Sequence, residues 1–249
     1  MKLHLGCQEK YLDGYVNIDL PPEAHTVREA KVDLEADVRT LRYDERSIEE
    51  VRCHHLLEHF SRQEALVLLA RWHRWLEMGG TLHVETPDFE ESAKKFVKAT
   101  LDEKFLLARH IFGSEEAGWA THKDYWDGQK FSYVLKKFGF TNIKVRGYRN
   151  GLAKHARNAP KIGPLFRHLP EKAYLPFLNA LGNILPESFY KKFGGNKMPN
   201  VLVSARKQSR TDWNKDDDDF DAYQILSMSL TGREGDGLIK VWMQDYQDF

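Results

Sequence analysis

Residues 54–60 read His-His-Leu-Leu-Glu-His-Phe, and within them His55, Glu58 and His59 make a His-x-x-Glu-His pattern. Two imidazoles and a carboxylate at this spacing are the signature of the inverted zinc metallopeptidases. A zinc hydrolase is therefore one chemistry the stretch could support. That chemistry needs His55 and His59 on one helical turn, with a third ligand from another segment. The neighbouring residues argue otherwise: His54-His55 closes an apolar strand-like run, and a helix start is signalled only at Ser61. On this reading no metal ligand set is expected, and Glu58 and His59 pack against or cap the helix that begins at Ser61. His55 differs from them, because the end of a strand is where a ligand would meet it.

The elements that must place these residues follow from periodicity and punctuation. Strands are expected at Lys-Leu-His-Leu before Gly6, at Tyr-Val-Asn-Ile-Asp ending in Asp19, at residues 32–38 with Asp33 and Asp37, and at residues 47–55. Ser61-Arg62-Gln63-Glu64 is a capping box, followed by Leu66, Leu69, Ala70 and His73 at helical spacing, with Gly79-Gly80 expected as the stop. A fifth strand, Thr-Leu-His-Val-Glu-Thr, ends at Pro87. One long helix is then expected to place Ala93, Phe96, Val97, Thr100 and Leu101 on one face, with Asp88 and Glu91 capping its start. Phe131, Val134, Leu135 and Phe138 mark a further helix that Gly139 stops, and residues 142–148 and 200–206 supply the last two strands. Alternating strands and helices imply a largely parallel sheet with helices on both faces. Such sheets bind ligands beyond the carboxyl ends of their strands, which puts Gly6, Asp19, Asp37 and His54–His55 along one edge. The eight residues from Cys7 to Gly14 leave space for at most about one helical turn between the first two strands.

Composition narrows the setting. A chain of 249 residues with 41% hydrophobic and 12% aromatic content can bury a full core. Its net charge of zero gives no reason to expect a nucleic-acid partner. Two cysteines, Cys7 and Cys53, with no CxxC pair argue for a reducing compartment. Cys7 is expected to fill a tight turn and Cys53 a buried strand. Without an apolar leader or a run approaching the ~18 residues of a membrane span, a cytoplasmic location is expected. Charge is uneven, though: residues 144–199 hold 11 basic residues against Glu171 and Glu187, while residues 207–249 hold ten acidic against five basic.

The segment Leu-His-Leu-Gly-Cys-Gln-Glu-Lys-Tyr-Leu-Asp-Gly-Tyr-Val-Asn-Ile-Asp resembles the class I S-adenosylmethionine-dependent methyltransferases, particularly a bacterial branch reading "LGCG…GYVNID…H-LEH". The likeness extends through residues 36–60, the Gly-Gly-Thr-Leu-His-Val run and residues 122–143, covering roughly residues 3–147. The resemblance implies a Rossmann-like, seven-stranded, mostly parallel sheet whose last strand runs antiparallel, and S-adenosyl-L-methionine as cofactor. It implies that Gly6, Cys7 and Gln8 form the turn under the methionine end, that Asp19 binds the ribose hydroxyls, and that Asp37 and Val38 meet the adenine. His54, His55 and Leu56 would lie beside the sulfonium. Gln8 stands where the family has a second glycine, and the alternative this raises is a catalytically inactive cofactor-binding module on the same fold.

Independently of the name, a turn closely approached by ligand excludes bulky side chains, and a carboxylate such as Asp19 or Asp37 supplies acceptors for hydroxyls or an exocyclic amine. O-methylation of a small molecule or glycan is the expected reaction, and a histidine near its ordinary pKa suits the base. His55 is the first candidate and His122, in a loop able to fold over the site, the second. The chain divides into a core of residues 1–147 and 200–206, a basic helical insert at 148–199, and an acidic tail at 207–249. The insert is read as a lid that selects the acceptor. Its rival reading is a surface for membrane or a lipid-linked phosphorylated substrate. Apolar stretches in the tail are expected to dock back or pair with another chain, as in a homo-oligomer.

Overall fold

The computed structural model describes residues 1–24, 31–150 and 198–207. The insert and tail expectations fall almost wholly outside these residues. Seven strands are present: β1 Lys2–Leu5, β2 Val16–Asp19, β3 Leu34–Glu35, β4 Ile48–His54, β5 Leu76–Pro87, β6 Phe140–Asn150 and β7 Met198–Lys207. They form one sheet in the order β3-β2-β1-β4-β5-β7-β6. The first five pair in parallel, and β7 runs antiparallel to both β5 and β6. This is the expected seven-stranded mixed sheet, with its closing strand inserted second from one edge. Among the described residues four α-helices accompany it: α1 Arg62–Trp75, α2 Phe89–Lys98, α3 Leu101–Phe112 and α4 Gly128–Lys137.

Strand side chains at Leu3, Leu5, Ile18, Val51, Cys53, Leu82, Val84, Val201 and Val203 are buried in one cluster with α1 and α4. Each such aliphatic removed from water contributes about 1.5–3 kcal/mol before entropy is counted. From α1 come Leu66, Leu69, Trp72 and Trp75, and from α4 Phe131, Leu135 and Phe138. The spacing expected for these two helices is therefore the spacing that packs.

Helix α1 starts as its sequence requires. The Glu64 carboxylate accepts the Ser61 amide at 2.8 Å, and the Ser61 hydroxyl accepts the Glu64 amide at 3.3 Å, a reciprocal cap worth about 1 kcal/mol. Its end differs from expectation. The helix stops at Trp75, and Gly79-Gly80 lies inside β5, where the pairing with β4 is irregular between Ile48 and Glu50. The buried Lys207 ammonium donates to the carbonyls of His73 at 2.7 Å and Leu76 at 2.9 Å, so a strand lysine caps the helix end where a glycine turn was expected.

Two further expectations change. The single long helix is two, α2 and α3, because Thr100 and Glu103 form a second capping box across the break. Val97 and Leu101 are 77% and 68% exposed, so they do not share a buried face. Between β1 and β2 the chain makes turns with no helical turn at all. Asn17 holds this short crossover: its Oδ1 accepts the Leu12 amide at 2.9 Å while its Nδ2 donates to the Leu12 carbonyl at 3.0 Å. The same amide donates to Asp33 at 2.9 Å, and Oδ1 lies 3.1 Å from His4 Nδ1.

Candidate functional site

A cleft of about 280 Å³ opens beyond the carboxyl ends of β1, β2 and β4. Gly6, Gln8, Asp19, Asp37, Val38, His55 and Leu56 all line it, as do Leu20, Ala36 and Arg39. The strand-end argument therefore brings seven of the ten expected site residues to one place. Cys7, His54 and His122 are not among its lining residues.

The β1 turn is built for close approach. Gly6 has a φ of +63°, and a Cβ there would come within 2.9 Å of Leu56 Cδ1. Gln8 also adopts a left-handed φ, 47°, so the turn is made without a second glycine at a cost of about 1–2 kcal/mol. Its backbone amide donates to Asp19 Oδ2 at 2.6 Å, and the Leu20 amide donates to Asp19 Oδ1 at 2.8 Å. A carboxylate has about four acceptor directions. Two backbone donors orient the Asp19 carboxylate at the cleft wall.

Asp37 is engaged more heavily than expected. Arg39 Nε donates to both of its oxygens at 3.0 and 2.9 Å, and the Arg39 amide donates to Oδ1 at 2.9 Å. Burial works to raise the Asp37 carboxyl, but the bonds and charge of Arg39 outweigh it and hold the group below its ordinary value. Arg39 Nη1 also reaches Glu64 Oε1 at 3.2 Å, tying the acidic anchor to the start of α1. The direct acceptor read from Asp37 is thus an Asp–Arg pair. Arg39 carried a signal in standing two residues after an aspartate at a strand end, and it was missed.

His54 and His55 both reach the Glu85 carboxylate, one at each oxygen. His54 Nδ1 lies 3.2 Å from Glu85 Oε2 and its ring meets His4 edge-on at 6.1 Å. Burial pushes its pKa down to about 3, so it is a neutral residue packed beside the cleft residue His55 and not lining the cleft itself. Cys7 fills the turn after β1, as expected: its buried thiol faces the Lys31 carbonyl at 3.7 Å, and burial raises its pKa to about 12.

His55 sits at a left-handed φ of 53°, an uncommon conformation that functional sites tolerate when their surroundings enforce it. Its Nδ1 is 3.3 Å from Glu58 Oε1 and its Nε2 is 3.1 Å from Glu85 Oε1. Burial works to lower its pKa, yet the two carboxylates overcome that and raise it to about 10. His55 is therefore a cation clamped between two anions at neutral pH. A general base needs a free lone pair, and here both ring nitrogens of His55 already face carboxylates.

Glu58 and His59 do not cap α1, whose cap is Ser61 and Glu64. Glu58 is 2% exposed. Burial acts to raise its carboxyl, while the hydrogen bond and charge of His55 prevail and hold it low. The segment before α4 does fold over the site. A Gly113–Thr121 bridge closes it, and Gly118, Trp119 and Lys123 line the cleft. Trp119 Nε1 donates to the Ala24 carbonyl at 2.7 Å. His122 turns beneath this loop: its ring stands 4.8 Å from that of His59, and burial lowers its pKa. It is neutral, but it sits one layer behind the cleft wall.

No protein-family model and no curated protein matches the chain. Among solved structures, an S-adenosylmethionine-dependent methyltransferase from Archaeoglobus fulgidus is 13% identical, with 83% of this chain and 85% of that one covered and a TM-score of 0.48. A putative methyltransferase from Bacillus halodurans is 14% identical, covering 84% and 92%, with a TM-score of 0.46. A methyltransferase from Methanosarcina mazei is also 14% identical, covering 83% and 91%, with a TM-score of 0.46. Likenesses this distant define neither activity nor substrate. Among the described residues no helix is long and apolar enough to cross a membrane.

Proposed function

We propose that this chain binds S-adenosyl-L-methionine in the cleft and transfers its methyl group to the oxygen of a small molecule or glycan. The observation that carries this reading is the pairing of two strand ends. The Gly6 turn, packed on Leu56, faces the Asp19 carboxylate, which the Gln8 and Leu20 amides hold in place. A backbone bend that admits close approach beside an oriented diol acceptor suits an adenosyl ligand with a charged amino-acid tail. Asp37, Val38 and Arg39 line the same cleft, and the adenine is assigned to them.

Transfer from a sulfonium is an in-line displacement: a C–O bond forms at the methyl carbon as the C–S bond breaks. S-adenosylhomocysteine leaves as a neutral thioether, and the hydroxyl proton passes to solvent. Alignment dominates such a step. Glu58 and Glu85 flank the cleft residue His55, and carboxylates near a sulfonium favour the cation over its neutral product. The acceptor's chemical class is carried over from the motif resemblance. Loop 113–124 and residues 148–199 are assigned to acceptor selection.

Calorimetry on the full chain is the test. S-adenosylmethionine is expected to bind, and Asp19→Ala to weaken it about tenfold or more, or ~1.4 kcal/mol. Absence of heat at about 1 mM ligand, equivalent to ~4 kcal/mol or less, or an unchanged affinity in Asp19→Ala, overturns the reading.

A further inference from the structure

Glu58, His59 and His122 each offer a ligand-type atom, and these atoms lie within 4.8 Å of one another. Glu58 and His59 come from the 3-10 turn Leu57–His59 that follows β4, and His122 from the loop over the cleft. The cluster joins His59, at the wall of the site, to His122, 63 residues further along the chain and behind it.

Its polar atoms are arranged for a missing partner. Glu58 Oε1 meets His55, but Glu58 Oε2 is buried and has no hydrogen-bond partner among the described residues. A buried carboxylate oxygen left unbonded is costly and points to a positive species. Both imidazoles are oriented in the same sense. His59 Nδ1 lies 3.4 Å from the Thr121 carbonyl, and His122 Nδ1 lies 3.1 Å from the Ile111 carbonyl. With Nδ1–H donated to a carbonyl, a neutral imidazole carries its lone pair on Nε2. Backbone carbonyls orient metal-binding histidines in this way. The two rings stand 78° apart with centroids 4.8 Å from each other. A void of about 10 Å³, lined by Glu58, His122 and Asp124, adjoins them, on the order of a single water.

We infer that Glu58, His59 and His122 bind a divalent first-row transition cation of the zinc or cobalt type. Two imidazoles and one carboxylate suit such ions and leave a coordination position open. Magnesium and calcium prefer all-oxygen shells. Ligand atoms around a tetrahedral ion stand about 3.4 Å apart at bond lengths near 2.1 Å, so small side-chain rotations complete the set. This site differs from the His-x-x-Glu-His reading, because His55 has both nitrogens against carboxylates and is excluded as a ligand. Through His59 the ion borders the cleft. Its consequence, polarising an acceptor oxygen, rests on the methyl-transfer reading, whereas ion binding itself does not.

The experiment uses the full, untagged chain stripped with a chelator and titrated with Co²⁺ alone, followed by visible absorption, then with Zn²⁺ in competition. No S-adenosylmethionine is present, so failure here is separable from failure of the cofactor reading. About one Co²⁺ per chain is expected, displaced by Zn²⁺. Glu58→Gln, His59→Gln and His122→Gln are each expected to weaken binding about tenfold or more, on the scale of ligand-shell losses. Thermal unfolding runs beside it: the parent's midpoint rises with Zn²⁺, and His122→Gln, folded without metal, shows no rise. No uptake at about 1 mM Co²⁺, or uptake undiminished in both His122→Gln and Glu58→Gln, overturns the site. Loss in His55→Gln with His122→Gln unaffected also overturns it, in favour of the other ligand set.

Discussion

Gln8 carries a sharp contradiction between residue type and place. It occupies a left-handed φ and lines the cleft, two duties that glycine would perform without a side chain. Gln8→Gly relieves about 1–2 kcal/mol of backbone strain and gives back about 0.5–1 kcal/mol in unfolded-chain entropy. Stability in urea is therefore expected to rise by about 0–1.5 kcal/mol. Affinity for S-adenosylmethionine, measured by calorimetry, is expected to rise as space opens under the methionine end. A fall in affinity would instead show that the Gln8 amide holds the ligand. His55 teaches a related lesson. Its type suggested a base, and only its two carboxylate partners, Glu58 three residues on and Glu85 thirty residues on, reveal a clamped cation.

At the scale of elements, the short crossover between β1 and β2 depends on one buried amide. Asn17→Ala leaves the Leu12 amide and carbonyl without their partner and removes a donor to Asp33. The expected loss is about 2–4 kcal/mol, from more than one buried polar group left unsatisfied, read from chemical denaturation midpoints. Because this crossover sets Gly6 opposite Asp19, cofactor binding is expected to fall with it. Much of the framework was legible before any coordinates: strand-terminal Gly6 and Asp19, the Ser61–Glu64 cap and the apolar stripe of α4 rest on patterns within a few residues. The break between α2 and α3 was legible too, since Thr100-Leu101-Asp102-Glu103 repeats the same capping signature. Local pattern does not contain contacts made across the fold. Asn17 with Leu12 and Asp33, Arg39 with Glu64, and Lys207 with the end of α1 each join residues that only the finished sheet brings together.

For the molecule as a whole, acid should find a weak point far from the cleft. His73 is buried on α1 against Phe140, and burial lowers its pKa to about 3. In the unfolded chain it titrates near 6.5, so between those values the unfolded state binds the extra proton. Its contribution is complete above pH 6.5 and is lost as pH falls towards about 3, at up to ~1.4 kcal/mol per pH unit. Denaturation midpoints measured from pH 7 to pH 4 are expected to decline, and His73→Phe to flatten that decline. An unchanged slope in the variant would place the acid sensitivity elsewhere.

The position of β7 has a consequence for biosynthesis. It is the last described strand, yet it fills the gap between β5 and β6, and residues 151–197 are made before it. A nascent chain that has emerged only to β6 therefore offers one sheet margin at β5, with no companion for β6. Unpaired margins recruit other chains. Ribosome-bound or truncated forms ending before Met198 should need chaperone protection that the finished polypeptide does not.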